Sequence, residues 1–177
     1  MRRRLTPLEI NEAGLVFGES LANDKIWIYE GTKFPNWIGR IGSLISREKP
    51  PSNNAVTLGN KLYFPVILKT TGSDITSLHL TDMAWLIHEL THAWQYQHIG
   101  IRYLIDAIRV QISLGSGAYD YGSKKGLEDA HIEGKHFLDF NPEQQADIAR
   151  EFYLRFKKGE DFSAWEPFIQ EIRDFSL

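Results

Sequence analysis

The run Thr81-Asp82-Met83-Ala84-Trp85-Leu86-Ile87-His88-Glu89-Leu90-Thr91-His92-Ala93-Trp94-Gln95-Tyr96-Gln97-His98 decides how the rest of the chain is read. Met83, Leu86, Ile87, Leu90, Ala93 and Trp94 recur at helical spacing and predict a helix buried over much of its surface, with Thr81 as cap and Asp82 in an acidic first turn. His88 and His92 are four residues apart, one above the other on one face, so both imidazoles can reach a single metal ion. Glu89 sits about 100° around the axis, which puts its carboxylate beside that ion instead of on it. Two neutral nitrogen ligands, an open coordination position and a nearby base are what a metal-activated water requires. The plainer reading makes each histidine an ordinary hydrogen-bonded residue, as a lone His usually is; the pair with Glu89 between them weighs against it.

A hydrolytic site of this kind takes a third protein ligand from elsewhere in the fold. The candidate is Glu143 in Asn141-Pro142-Glu143-Gln144-Gln145-Ala146-Asp147. Asn141 reads as an N-cap and Pro142 as the first helical residue, so Glu143 falls in the first turn of a second helix. Asp147, four residues on, shares its face and is placed to accept the other ring N–H of a ligating histidine. Taken alone, Glu143 would be read as complementing the helix dipole; taken with the upstream pair, the ligand reading is favoured.

His-Glu-x-x-His followed by Glu-x-x-x-Asp on a later helix resembles the gluzincin branch of the zincin metallopeptidases. The separation 143 − 92 = 51 residues lies within what that branch tolerates. More narrowly, His88-Glu89-Leu90-Thr91-His92-Ala93-Trp94-Gln95, Glu143-Gln144-Gln145-Ala146-Asp147 and Gly59-Asn60-Lys61-Leu62-Tyr63-Phe64 resemble small bacterial Vgr-related proteins and the metallopeptidase domains carried by some type VI secretion spike proteins. The resemblance covers roughly residues 6 to 158, with only the two metal segments sharp. It implies a small zincin-like α+β domain, mainly helical with a short antiparallel sheet or hairpin before the active helix, a Zn2+ ion on His88, His92 and Glu143, and a secreted peptidase-like effector. Its partners would be a protein or peptide substrate and a secretion-spike or immunity protein.

The chain of 177 residues, 42% hydrophobic and 12% aromatic, is read as one domain over 1–177 with enough apolar material for a core. A formal charge of −3 gives no footprint for nucleic acid, and Arg2-Arg3-Arg4 is too short a basic run to argue for one. With no Cys, any zinc must be held by His and carboxylate. No apolar run is long enough to span a membrane, and Thr6-Pro7-Leu8-Glu9 follows the arginines where a signal peptide would carry its apolar core. The expectation is a protein that is cytoplasmic in the producing cell and leaves it, if at all, by a route needing no cleavable signal, with a target-cell periplasm as the destination the resemblance implies.

Thr6-Pro7-Leu8-Glu9 has the form of a capping box opening a helix that stops near Gly18. Ile26–Tyr29 reads as a strand, and Ala55–Leu58 and Lys61–Phe64 flank a Gly59-Asn60 hairpin turn. An exposed strand edge here can hold an extended peptide backbone; an ordinary packed hairpin is the equal alternative. Residues 32 to 54, with Trp37, give no clear element. Ile101, Leu104, Ile105, Ile108 and Ile112 predict a core helix, and 116 to 140 an irregular insert. Within that insert Tyr119 and Tyr121 are the candidate donors to an oxyanion, with aromatic packing as the plainer reading, while His131 and His136 read as exposed loop histidines. The Glu143 helix runs on through Ala149, Phe152, Tyr153 and Phe156 to Gly159, and Ser163-Ala164-Trp165-Glu166 looks like a second capping box.

The expected chemistry is hydrolysis of a peptide bond, with Glu89 taking the proton of a metal-activated water and passing it to the leaving nitrogen. Two alternatives stay open. One is a zinc hydrolase of another amide or ester, in cell wall or lipid; the other is a non-enzymatic, metal-stabilised adaptor of a secretion system, which a fourth protein ligand such as His131 or His136 would favour.

Overall fold

The computed structural model describes residues 1–33, 55–72, 79–100 and 120–175. Its centre is the long helix α2, Leu80–Ile99, in which Met83, Ala84 and every residue from Leu86 to Gln95 except His92 are buried. A helix buried nearly all round must be covered on several sides. The sheet covers one side, α1 (Pro7–Phe17) another, and α4 (Pro142–Lys158) packs along it over its chemically important face.

Among the described residues the sheet has four short strands, β1 (Arg2–Arg3), β2 (Trp27–Tyr29), β3 (Val56–Leu58) and β4 (Lys61–Tyr63), in the order β1-β2-β4-β3. Gly59, at φ +61°, is the first residue of the two-residue turn between β3 and β4, where a positive φ suits a hairpin and glycine adopts it without strain. The expected hairpin is therefore present, but the sheet is mixed and not simply antiparallel. β2 lies parallel to β4, and the N-terminal arginines form an edge strand antiparallel to β2. Ile28, Leu62 and Thr57 point inward, while Trp27, Tyr29, Lys61 and Tyr63 point outward, as the period of two requires.

Thr6 and Glu9 complete the capping box expected at the start of α1, and Asn141 accepts from the backbone N–H groups of Glu143 and Gln144 at the start of α4. Two other expected caps are not formed. α2 begins at Leu80 with His79 before it and no side-chain cap; Asp82 instead accepts from the Lys69 backbone N–H at 2.8 Å. α5 (Glu166–Arg173) likewise starts without a side-chain cap, because Trp165 occupies the cap position and Ser163 lies two residues before it, its N–H donating to Asp161. The insert before Glu143 is also more regular than its sequence suggests: Ser123–Ile132 forms α3 and Phe137–Asp139 a 3-10 turn. Only Leu127 and Ala130 of α3 are buried, too few for a visible period, and Gly126 interrupts the pattern because the Tyr121 carbonyl oxygen lies 2.1 Å from where its Cβ would be. The Ile101–Ile112 run, Trp37 and Tyr119 lie outside the described residues. No helix among the described residues is long and apolar enough to cross a membrane.

The N-terminus is tied down by a buried ionic clamp. Arg3 forks to both oxygens of Glu9 (2.7 and 2.8 Å) and both of Glu30 (2.9 and 3.1 Å), and the two carboxylate side chains are fully buried. Glu9 also accepts from the Thr6 backbone N–H and Thr70, and Glu30 from the Leu68 backbone N–H, so one arginine joins β1, α1 and the segment after β4. Replacing Arg3 by Met leaves two carboxylates buried without their cation. We expect a loss of about 3–5 kcal/mol in a denaturant titration, a figure set by the cost of breaking buried pairs; a change below about 1 kcal/mol would mean that the clamp does not hold the N-terminus.

Candidate metal centre

His88 and His92 project from adjacent turns of α2, their rings edge to face with centroids 5.0 Å apart. Opposite them, the cap of α4 fixes the turn that carries Glu143. Glu143 Oε2 lies 3.5 Å from His88 Nε2 and 3.6 Å from His92 Nε2, and the three donor atoms lie within 4.8 Å of one another. These distances are long for N–H···O hydrogen bonds, which peak near 2.9–3.0 Å. They suit a cation: a tetrahedral ion bound at about 2.0–2.1 Å holds its donors about 3.3–3.5 Å apart. The group could therefore hold a metal ion. Among the described residues no fourth His, Asp or Glu joins it, and His131 and His136 are exposed, His136 pairing with Glu171.

The other ring nitrogens decide whether both lone pairs can face the ion. His88 Nδ1 is 3.0 Å from Asp147 Oδ1, and a carboxylate can only accept, so Nδ1 carries the proton and Nε2 is free to bind. Asp147 is itself pinned by Arg150 at 3.1 Å. His92 Nδ1 is 2.9 Å from Gln95 Oε1, where the amide could in principle be flipped. It is not free to flip. Gln95 Nε2 donates to Gln145 Oε1 at 2.7 Å and to the Pro142 carbonyl at 3.1 Å, and Gln145 Nε2 donates to the Phe140 carbonyl at 2.7 Å. Two backbone carbonyls thus fix both amides, and the amides fix the tautomer of His92.

Glu89 is buried next to the histidines, and Thr57 on β3 donates to its Oε2 at 2.6 Å. With protons alone to share, the histidines and Glu143 favour one another's charged forms. Burial opposes a charged His88, but the hydrogen bond to Asp147, the nearby Glu143 carboxylate and the charge of Glu89 outweigh it and raise its pKa to about 10. His92 is raised too, burial opposing and Glu143 prevailing. Burial pushes the Glu143 carboxyl up, yet His92 and His88 pull it well below the ordinary carboxylate range.

Of the residues singled out in the sequence, the fold brings His88, Glu89, His92, Glu143 and Asp147 together. The Tyr121 hydroxyl stands apart from them, accepting from Trp165 Nε1 at 3.2 Å, with its pKa pushed up to about 12, mainly by burial. It shares a polar cavity of about 260 Å³ with Asp120, Asp147, Arg150 and Arg155, which reaches Asp147. Thr57, Gln95, Gln145 and Arg150 were not singled out. Gln95 could have been: it lies three residues after His92 on the same helical face, where a buried amide is unusual.

No family model matches the chain, and no solved structure matches it. The type VI secretion system spike protein VgrG2b of Pseudomonas aeruginosa is similar, with 27% identity over 177 residues that cover 98% of this chain and 15% of that protein. The chain thus spans less than a sixth of the relative's length.

Two outcomes follow for metal binding. Gln95→Leu removes the acceptor that sets the His92 tautomer, and apparent zinc affinity, read by competition with a chromogenic chelator, is expected to fall about 10- to 100-fold; unchanged affinity would remove Gln95 from the site. Because His88 is protonated below about 10, a metal must displace its proton, so affinity should rise with pH from 6 toward 9, by about tenfold per unit for each proton released. A pH-independent affinity would contradict that coupling.

Proposed function

We propose that this protein is a zinc-dependent hydrolase of the gluzincin-like kind, a metallopeptidase that works in association with a type VI secretion system. The observation that carries the reading is the convergence of His88 Nε2, His92 Nε2 and Glu143 Oε2, with the Glu89 carboxylate buried beside them. A zinc ion held there supplies Lewis acidity, polarising a carbonyl and acidifying a water. Three protein donors with none further among the described residues support an open, catalytic arrangement over a closed structural one.

The roles of the side chains follow from their placement. His88 and His92 hold the ion as neutral imidazoles, each kept in that tautomer by its Nδ1 partner. Glu89 accepts a proton from the attacking water at its carboxylate and delivers it to the leaving nitrogen. Thr57, hydrogen-bonded to Oε2, aims that carboxylate from the neighbouring strand. β3, the edge of the sheet among the described residues, is the element that would line an extended peptide beside the centre through its backbone groups. Similarity to a spike protein across nearly the whole of this chain supports a secretion-system role, with delivery to another cell and an immunity partner as its consequences.

The test separates metal from turnover. Glu89→Gln should keep its zinc, measured by elemental analysis, and lose about 10²- to 10⁴-fold in cleavage of casein or a quenched peptide library. Thr57→Val should lower kcat while leaving zinc content unchanged, and Thr57→Ser should restore it. Full activity of Glu89→Gln would exclude this role for Glu89; cleavage of peptidoglycan or an ester in place of every peptide would move the substrate class and leave the metal site standing.

A further inference from the structure

The outward face of the sheet carries a second chemical feature, separate from the metal centre. Pairing of Arg2 with Tyr29, Trp27 with Lys61 and Tyr29 with Tyr63 puts aromatic and cationic side chains side by side. The Arg2 and Arg4 guanidinium carbons lie 3.6 and 3.5 Å from the Trp27 ring centroid. Two planar cations that close to one centroid must occupy opposite faces of the indole. Tyr29 and Tyr63 stack on each other at 4.7 Å, and Lys25, Lys61, Tyr63 and Tyr96 continue the face as a groove of about 500 Å³ beside the hairpin turn.

Arg2, Arg4, Lys25 and Lys61 are all exposed, and among the described residues none of them pairs with a carboxylate. Asp24, the exposed acid beside Lys25, makes no ion pair with any of them. Four cations without a carboxylate partner thus share one face of a chain whose net charge is −3. We propose that this face is a docking surface for an acidic segment of a partner protein. Arg4 Nη1 donates to the Ile26 carbonyl at 2.9 Å, while Arg2, lying over the indole, keeps its in-plane N–H donors free and oriented for bidentate carboxylate recognition. Single-stranded nucleic acid stacks its bases on open aromatic faces, and here the indole is covered on both sides and each phenol on one, which favours a carboxylate-bearing occupant over a stacked base. The segment 34–54 carries Arg40, Arg47 and Lys49 against Glu48 alone, so its sequence offers no acidic run to complement these cations.

The experiment titrates the full chain with a fluorescent oligoglutamate peptide at low and at physiological ionic strength, beside oligothymidylate and phosphatidylglycerol vesicles as probes. The variant is Arg4→Gln/Lys61→Gln, which leaves the Arg3 clamp and the metal ligands untouched; its thermal unfolding and zinc content report that the fold is intact. Saturable oligoglutamate binding that weakens about tenfold between the two ionic strengths, and about tenfold or more in the variant, is the expected result. The proposal is overturned if oligoglutamate does not bind, if the variant binds as the parent does, if oligothymidylate or vesicles bind more tightly, or if sedimentation shows a second copy of the chain covering this face. None of these outcomes depends on hydrolytic activity.

Discussion

The constraint on which the molecule depends is that two helices far apart in sequence must meet at one oxygen atom, Glu143 Oε2, within about an ångström of where two imidazoles can use it. His88, Glu89, Gln95, Glu143, Gln145 and Asp147 are all buried there. Unpaired, each would oppose folding, since a buried polar group without a partner costs about 1–3 kcal/mol and a charge more. They are tolerated because each satisfies another. The pairing works only in one register of α2 against α4, so the apolar packing of Leu90, Ala93, Trp94, Ala149, Phe152 and Tyr153 also serves as the frame that keeps the donors in place.

That division explains what the sequence discloses. The metal helix was legible from its apolar period, the start of α4 from Asn141-Pro142, and the hairpin from Gly59-Asn60, because each signal is local. The convergence of Glu143 on the histidines rested on resemblance and chemistry, not on any pattern in the chain. The mixed pairing of β2 with β4 could not be read, since it joins strands more than thirty residues apart through backbone groups that every residue has. α3 was missed because it buries two side chains only, and the caps of α2 and α5 because each helix starts elsewhere than its cap residue suggests: α2 one residue before Thr81, and α5 after Trp165, two residues beyond Ser163. Thr57 shows the same limit: nothing near it in sequence reveals that it faces Glu89.

Charge is distributed with equal economy. Inside, Arg3 lies between Glu9 and Glu30, and the histidines between Glu143 and Asp147, so carboxylates and cations cancel over a few ångströms. Outside, the sheet carries cations that no carboxylate among the described residues pairs. A small net charge therefore conceals two opposite arrangements, one that holds the fold together and one that faces outward.

The two histidines are supported differently, and the difference has a chemical consequence. His88 leans on a full negative charge, Asp147, which Arg150 keeps in place from the surface side. His92 leans on a neutral amide, part of a chain that ends on the carbonyls of Phe140 and Pro142. A carboxylate partner raises the basicity of an imidazole and so strengthens its grip on a cation; an amide fixes orientation with far less effect on basicity. His88 would then be the donor that sets how strongly an ion is held, and His92 the one that sets where it sits. The amide chain ends on carbonyls just ahead of Glu143, so the elements that orient His92 and present Glu143 are the same short stretch of backbone, and neither can shift without the other.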